Sequence, residues 1–198
     1  MSSQVPYARL VGTWKFWLAA VSTVEPAIDD ATLTGWTEFG RTDGDQTFAF
    51  TGGLTALRDN QSTVPQKHIR PDGGLDVSGT VVSLTLENMA RVLSKAASDV
   101  ITATSGAVNV KEMTFGRTYA PTQYSLLARG GAIEPTNSMS AYGIGPGQIW
   151  IPKGAFEGTP SMAFGRAATP GLAFMFHAEW DESQATGYEV GNIIMQSS

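Results

Sequence analysis

His68 and His177 are the only imidazoles in a chain that has no cysteine. Histidine catalysis or metal ligation needs a nucleophile, an acid–base partner or further ligands converging on the ring. Neither residue shows such company in sequence, since His68 sits in a long polar stretch and His177 in an alternating apolar run. Both read as surface or strand histidines. No serine lies in a Gly-x-Ser-x-Gly elbow and no phosphate loop is present. The glycine-rich run Gly143-Ile144-Gly145-Pro146-Gly147 lacks the strand-to-helix context of a nucleotide site and reads as a turn. Asp43-Gly44-Asp45 and Asp72-Gly73-Gly74-Leu75-Asp76 offer oxygens suited to calcium, but without the ligand ladder of an EF-hand they read as turn formers. The acid pairs Asp29-Asp30 and Asp181-Glu182 are adjacent, whereas paired glycosidase carboxylates come from separated elements. Trp14, Trp17, Trp36, Trp150 and Trp180 would suit a sugar-binding platform, although core and interface packing are commoner uses. The expectation is no catalytic residue, no metal and no cofactor.

The elements around these residues belong to a chain of 198 residues, the size of one large domain. A 42% hydrophobic content supports a sizeable core, while 22 Gly, 10 Pro and only 16% charged residues favour strands and turns over long solvated helices. The formal charge of −5 argues against a protein that grips nucleic acid through its phosphates. Zero cysteine excludes disulfide frameworks, thiolate nucleophiles, iron–sulfur clusters and cysteine-based zinc sites. The apolar run Phe16 to Val21 is far short of the roughly 20 residues of a membrane span, so no membrane insertion is expected. Arg9 and Ala19-Ala20 mimic parts of a signal peptide, but Lys15 interrupts the apolar region that one requires.

Residues 1–11 carry Pro6 and no periodicity, and read as an extended arm. Trp14, Phe16 and Leu18 alternate with Lys15, Trp17 and Ala19 in a first strand. A loop over Glu25 to Asp30 leads to a turn over Gly35-Trp36-Thr37-Glu38-Phe39-Gly40, then to another over Thr42 to Asp45. A strand with Phe48 and Phe50 on one face starts near Gln46 and resumes at Leu54 to Leu57. Residues 58–74 carry Arg58, Lys67, His68 and Arg70 with two prolines, and read as one long loop, a length that calls for a function. After a strand over Leu75 to Leu84 the period changes. Leu86, Met89, Ala90, Leu93 and Ala97 mark an amphipathic helix over 86–97, with Thr85 as N-cap, Glu87 in its first turn and Lys95 in its last. Strands follow at Val100–Thr104, Ala107–Phe115, Gln123–Ala128, Gln148–Ile151 and Leu172–Trp180, the last presenting Leu172, Phe174, Phe176, Ala178 and Trp180 on its core face. Residues 131–198 hold two basic and six acidic side chains, so acidity is concentrated there.

The ordered series of arm, aromatic strand, Gly35–Gly40 turn, strand, long loop, strand and Leu84-Thr85-Leu86-Glu87-Asn88-Met89 helix start resembles the major tail tube proteins of long-tailed bacteriophages. The Ile149-Trp150-Ile151-Pro152 strand is similar too, and the resemblance covers roughly residues 12 to 190. Segments 132–147 and 154–170 match no motif of that family. The resemblance implies a mainly β fold, a β-sandwich or partial barrel with one flanking α-helix, an extended N-terminal arm and a long inter-strand loop. It divides the chain into an arm (1–11), a body (12–190, with loop 58–74 and helix 86–97) and a C-terminal tail (191–198). It implies a non-enzymatic virion protein, made in the host cytoplasm, forming hexameric rings that stack into a hollow tube. Its partners would be further copies of itself, a tape measure protein, tail terminator and tip proteins, and phage DNA passing through the lumen. Ring stacking is then expected from Arg58, Lys67, His68, Arg70 and Asp72, and assembly contacts from Val5, Tyr7 and Arg9 of the arm. The alternatives are a tail terminator or secretion-system tube protein, which would differ in polymer length, and a secreted carbohydrate-binding β-sandwich.

Overall fold

The computed structural model describes residues 14–40, 42–52, 55–57, 67–69, 73–83, 85–105, 108–114, 121–130, 147–157 and 171–195. Alternation at the start of this range does what its period requires: β1 (Trp14–Ala19) buries Trp14, Phe16 and Leu18 on one face and exposes Lys15 on the other. The chain continues as β2 (Thr37–Gly40), β3 (Thr42–Thr51), β4 (Thr55–Leu57), β5 (Lys67–Ile69), β6 (Gly74–Val81) and α1 (Leu86–Val92). Then come β7 (Val100–Ser105), β8 (Val108–Met113), β9 (Gln123–Gly130), β10 (Gly147–Phe156), β11 (Leu172–Ala178) and β12 (Asn192–Met195). The fold is mainly β with one α-helix among the described residues. Eight strands form an antiparallel sheet in the order β2-β1-β9-β10-β11-β6-β3, with β12 paired to β10, and β4–β5 and β7–β8 form separate two-stranded ladders.

The sheet curls without closing into a barrel, and two strands that change partners produce the curl. The run Thr37–Thr51 pairs first with β1, where Leu18 faces Thr37, and after Arg41 with β6, where Thr42 faces Val81 and Thr51 faces Gly74. One stretch of chain thus touches both ends of the sheet. Gly40 makes the change of direction at φ +113°, and a Cβ there would lie 2.8 Å from Ser83 Cβ. Strand β10 bends likewise: its first half lies between β9 and β12, its register slips between Ile151 and Gly154, and its second half lies between β9 and β11. A Cβ at Gly154 would sit 2.4 Å from the His177 carbonyl oxygen, so the close approach of β11 requires glycine. The two ends meet over the core, where Phe48 of β3 packs 5.2 Å from Trp14 and the Thr42 hydroxyl donates to the Trp14 carbonyl at 2.8 Å.

Phe16, Phe39, Phe156, Phe174 and Phe176 form the centre of the core. Phe156 meets Phe176 at 5.1 Å and Phe39 meets Phe174 at 5.3 Å, both edge to face, an arrangement worth roughly 0.5–1.5 kcal/mol per pair beyond area burial. Phe174 and Phe176 occupy the expected face of β11, but Trp180 does not: the strand ends at Ala178 and Trp180 is 58% exposed.

Four further expectations are corrected. The Gly35–Gly40 and Thr42–Asp45 segments are strand for the most part, because the second is a bulge inside β3 between Asp43 and Thr47 rather than a turn that precedes it. The segment 58–74 contains β5 and the first residue of β6. Within 191–198, Asn192–Met195 form a strand on β10. The helix ends at Val92 instead of reaching residue 97. Thr85 caps its start, its hydroxyl accepting the Asn88 N–H at 3.1 Å, but Ser94 turns to φ +58°, its hydroxyl donates to the Phe156 carbonyl at 2.5 Å, and the Lys95 N–H returns to Ala90 at 2.8 Å. The buried face is Asn88, Ala90 and Val92, while Leu86, Met89 and Leu93 are half-buried and Arg91, rather than Lys95, is the basic residue of the last turn. Asn88 is buried because its amide donates to the Ser83 carbonyl and accepts from Arg91. Lys111 of β8 pairs with Glu87 at the other end of the helix, and its ammonium holds the Glu87 carboxyl below the ordinary value. No described helix is long and apolar enough to cross a membrane.

Candidate assembly surfaces

The segment expected to carry ring stacking contains β5, which pairs with β4 in an antiparallel ladder. Thr51 of β3 faces Gly74 of β6, and the pairing resumes four residues further on with Thr55 opposite Ile69, then Ala56 opposite His68 and Leu57 opposite Lys67. β4 and β5 thus form a short antiparallel pair of their own, separate in its hydrogen bonding from the β3–β6 ladder. Along β3 Phe48 packs on Trp14 while Phe50, two residues on, is 72% exposed. Lys67 and His68 are described through this backbone pairing alone. Arg58, Arg70 and Asp72, and Val5, Tyr7 and Arg9 of the arm, lie outside the described residues.

The face of β9 and β10 turned away from the core is built differently. Ser125, Leu127, Arg129, Gln148 and Trp150 point to it and all are buried, because residues 20–30 lie across them. Arg129, 3% exposed, donates to Gln148 Oε1 at 2.8 Å and to the carbonyls of Ala27 and Asp30 at 2.6 Å each. Gln148 in turn donates to Glu25 and to the Pro26 carbonyl, both at 2.9 Å, and Asn192 of β12 donates to the other oxygen of Glu25 at 3.0 Å. Burial pulls the Arg129 pKa below its ordinary value, and the Asp30 and Asp29 charges oppose that shift. The network clamps the covering loop to the sheet, and all its donors have acceptors.

A second polar knot fixes the loop after β11. Asp181 accepts from the hydroxyls of Ser22 and Ser183 at 2.7 Å, from Gln184 at 3.0 Å and from the Ser183 N–H at 3.1 Å. Burial works against its charge, but these four donors outweigh it and hold the carboxyl far below the usual carboxylate range. Asp181 is thus committed to structure while Glu182 is exposed, so the pair has no dyad geometry. Trp180 and Tyr188, at 58% and 46% exposure, flank this knot.

The chemistry-bearing residues stay apart. His177 Nδ1 lies 2.7 Å from the Asp76 carboxylate across the β11–β6 rung, at the sheet surface. Among the described residues no group of three His, Asp or Glu is placed to hold a metal ion. Asp43 Oδ1 accepts the Gly44 N–H at 3.0 Å, which is bulge chemistry rather than a calcium ligand set. An open cleft of about 390 Å³ between β1, β2 and the end of α1 is lined by Leu18, Thr37, Arg91, Gln123 and Tyr124. Arg91 is bonded there to Asn88, and the Tyr124 hydroxyl donates to the Lys95 carbonyl at 2.9 Å with its pKa raised by burial. Sequence reasoning missed the Arg129 clamp and the Asp181 knot. Their only local signals were Arg129 and Gln148 inside otherwise apolar strands. No protein-family model matches the chain, and no curated protein matches it.

Proposed function

We propose that this chain is a virion structural protein, a tail tube subunit whose hexameric rings stack into the hollow tube through which phage DNA reaches the host. The observation that carries the reading is that the chain, between β3 and β6, forms a second antiparallel pair, β4–β5, outside the eight-stranded sheet. A strand pair set apart from the hydrogen bonding of the main sheet suits contact with an adjacent ring. On this reading the curled sheet with its flanking helix is the tail tube fold. Acidic side chains exceed basic ones over the whole chain, which suits a conduit that must not bind phosphates tightly. Tape measure, terminator and tip proteins would be its partners in the tail.

Negative-stain electron microscopy with light scattering, on concentrated purified protein, tests the proposal. Rings or tubes of uniform diameter are expected. Assembly that always stops at a single ring would favour a terminator instead. A second reading, a carbohydrate-binding module, draws on exposed Trp180 and Tyr188; a strict monomer whose tryptophan fluorescence responds to glycans would replace the first reading with this one.

A further inference from the structure

Strand β3 ends the eight-stranded sheet, paired with β6 on one side and with no described strand on the other. Its second half, residues 47–51, follows the β6 register residue by residue and carries no charge. The first half does not keep that register. Asp43 faces Thr80 and Thr47 faces Ser78, so Gly44, Asp45 and Gln46 bulge out opposite the single residue Gly79. Asp43, Gly44 and Asp45 are all exposed, and Gly44 turns to φ +69° with no atom within 4 Å of where a Cβ would stand. The bulge and its two carboxylates guard the open edge against pairing with another chain. Gly44 has no partner in the β6 register, and its N–H donates instead to Oδ1 of the preceding residue, Asp43, at 3.0 Å.

We infer that Asp43-Gly44 is a site of spontaneous covalent modification, at which the aspartate rearranges through a succinimide to isoaspartate. The nucleophile is the Gly44 amide nitrogen, and the electrophile is Cγ of Asp43 in its neutral acid form. The 3.0 Å bond sets that nitrogen against the carboxyl group, and attack on the carboxyl carbon needs a separation of about 3–3.5 Å. With no Cβ on Gly44, nothing shields the nitrogen. Its lone pair forms the bond to Cγ, the bond from Cγ to the carboxyl hydroxyl breaks, and the amide proton leaves with that hydroxyl as water. Water then opens the five-membered ring at either carbonyl. Attack at Cγ restores aspartate. Attack at the main-chain carbonyl carbon leaves the chain running through Cβ and Cγ, and the former main-chain carbonyl becomes a free carboxylate. One water leaves and one enters, so no oxidant, reductant or cofactor takes part. The product lengthens the backbone by one carbon inside the bulge that guards the edge. Asp76 shows what suppresses the same step: its strand is paired on both sides, its carboxylate meets His177, and the branched Val77 follows it.

The purified chain and a synthetic peptide of residues 40–48 are kept side by side in warm neutral buffer. Isoaspartate is then read residue by residue after digestion, by chromatography of the isomeric fragments and by methyl transfer from an isoaspartate-specific O-methyltransferase, while added hydroxylamine traps the succinimide. When half of the peptide has rearranged, the chain should carry isoaspartate at residue 43 at no less than about a tenth of the peptide's level, a tenfold retardation corresponding to about 1.4 kcal/mol of barrier. Asp43→Ser keeps a hydroxyl to accept the Gly44 N–H and should abolish the signal at that residue. Asp43→Asn, which closes the same ring with ammonia as the leaving group, should raise it. A level below about a tenth of the peptide's, or isoaspartate confined to the chain's other Asp-Gly pair, Asp72-Gly73, overturns the inference. So does an Asp43→Asn chain that accumulates isoaspartate no faster than wild type. Melting curves on both variants should match wild type, because the side chain is exposed, and they show that each result comes from folded protein.

Discussion

The face covered by residues 20–30 and the free edge of β3 belong to the same sheet but finish in opposite ways. On the covered face each polar group has its partner within the chain: Arg129, Gln148, Glu25 and Asn192 satisfy one another and the loop carbonyls, and Asp181 accepts four hydrogen bonds. No described buried side-chain nitrogen or oxygen lacks a partner. At β3 the reverse holds, with an uncharged strand edge and an exposed phenyl ring. A surface that satisfies itself needs no neighbour, and one that does not is where a neighbour gains most. The first region should govern stability and the second association.

Arg129→Met should have the largest effect on stability. It leaves Gln148 Oε1 and the Ala27 and Asp30 carbonyls without their donor, at about 1–3 kcal/mol for each that stays buried, so a loss of about 3 kcal/mol or more in denaturant unfolding is expected. A change below about 1 kcal/mol would mean that the loop is not held by the clamp.

Asp181→Asn should cost about 1–3 kcal/mol at neutral pH and alter acid sensitivity. The carboxyl titrates lower in the folded chain than its ordinary 3.8, so its stabilisation is complete above that value and is lost as pH falls toward the depressed native one. Wild-type stability should therefore drop as pH falls below 3.8, with a contribution from this group of up to about 1.4 kcal/mol per pH unit, and Asp181→Asn should drop less. Parallel pH profiles for the two proteins would contradict the knot. Phe50→Ser sharpens the contrast from the other side: its stability should stay within about 0.5 kcal/mol of wild type, while light scattering reports weaker association.

Period alone revealed β1 and β11, because Trp14-Phe16-Leu18 and Leu172-Phe174-Phe176 each line one buried face. It failed where tertiary partners decide. The Gly35–Gly40 segment looked like a turn, yet Phe39 is fully buried, since β1 pairs with that segment. A helix of seven residues is too short for its stripe to settle which side is buried, and Ser94 ends it through a bond to Phe156 that lies 62 positions away. The bonds from Arg129 to the covering loop join residues about a hundred positions apart, a pairing that no local pattern encodes. Within segment 58–74 the strand β5 was not legible, since three residues are too few to show a period.

Deletion of Pro65–Asp72, followed by electron microscopy beside wild type with melting curves on both, tests the central claim most directly. The hairpin account predicts wild-type tubes, a truncated protein that melts close to the wild-type temperature, and no tubes from it. Tubes of unchanged diameter and length from the truncated protein would contradict the account.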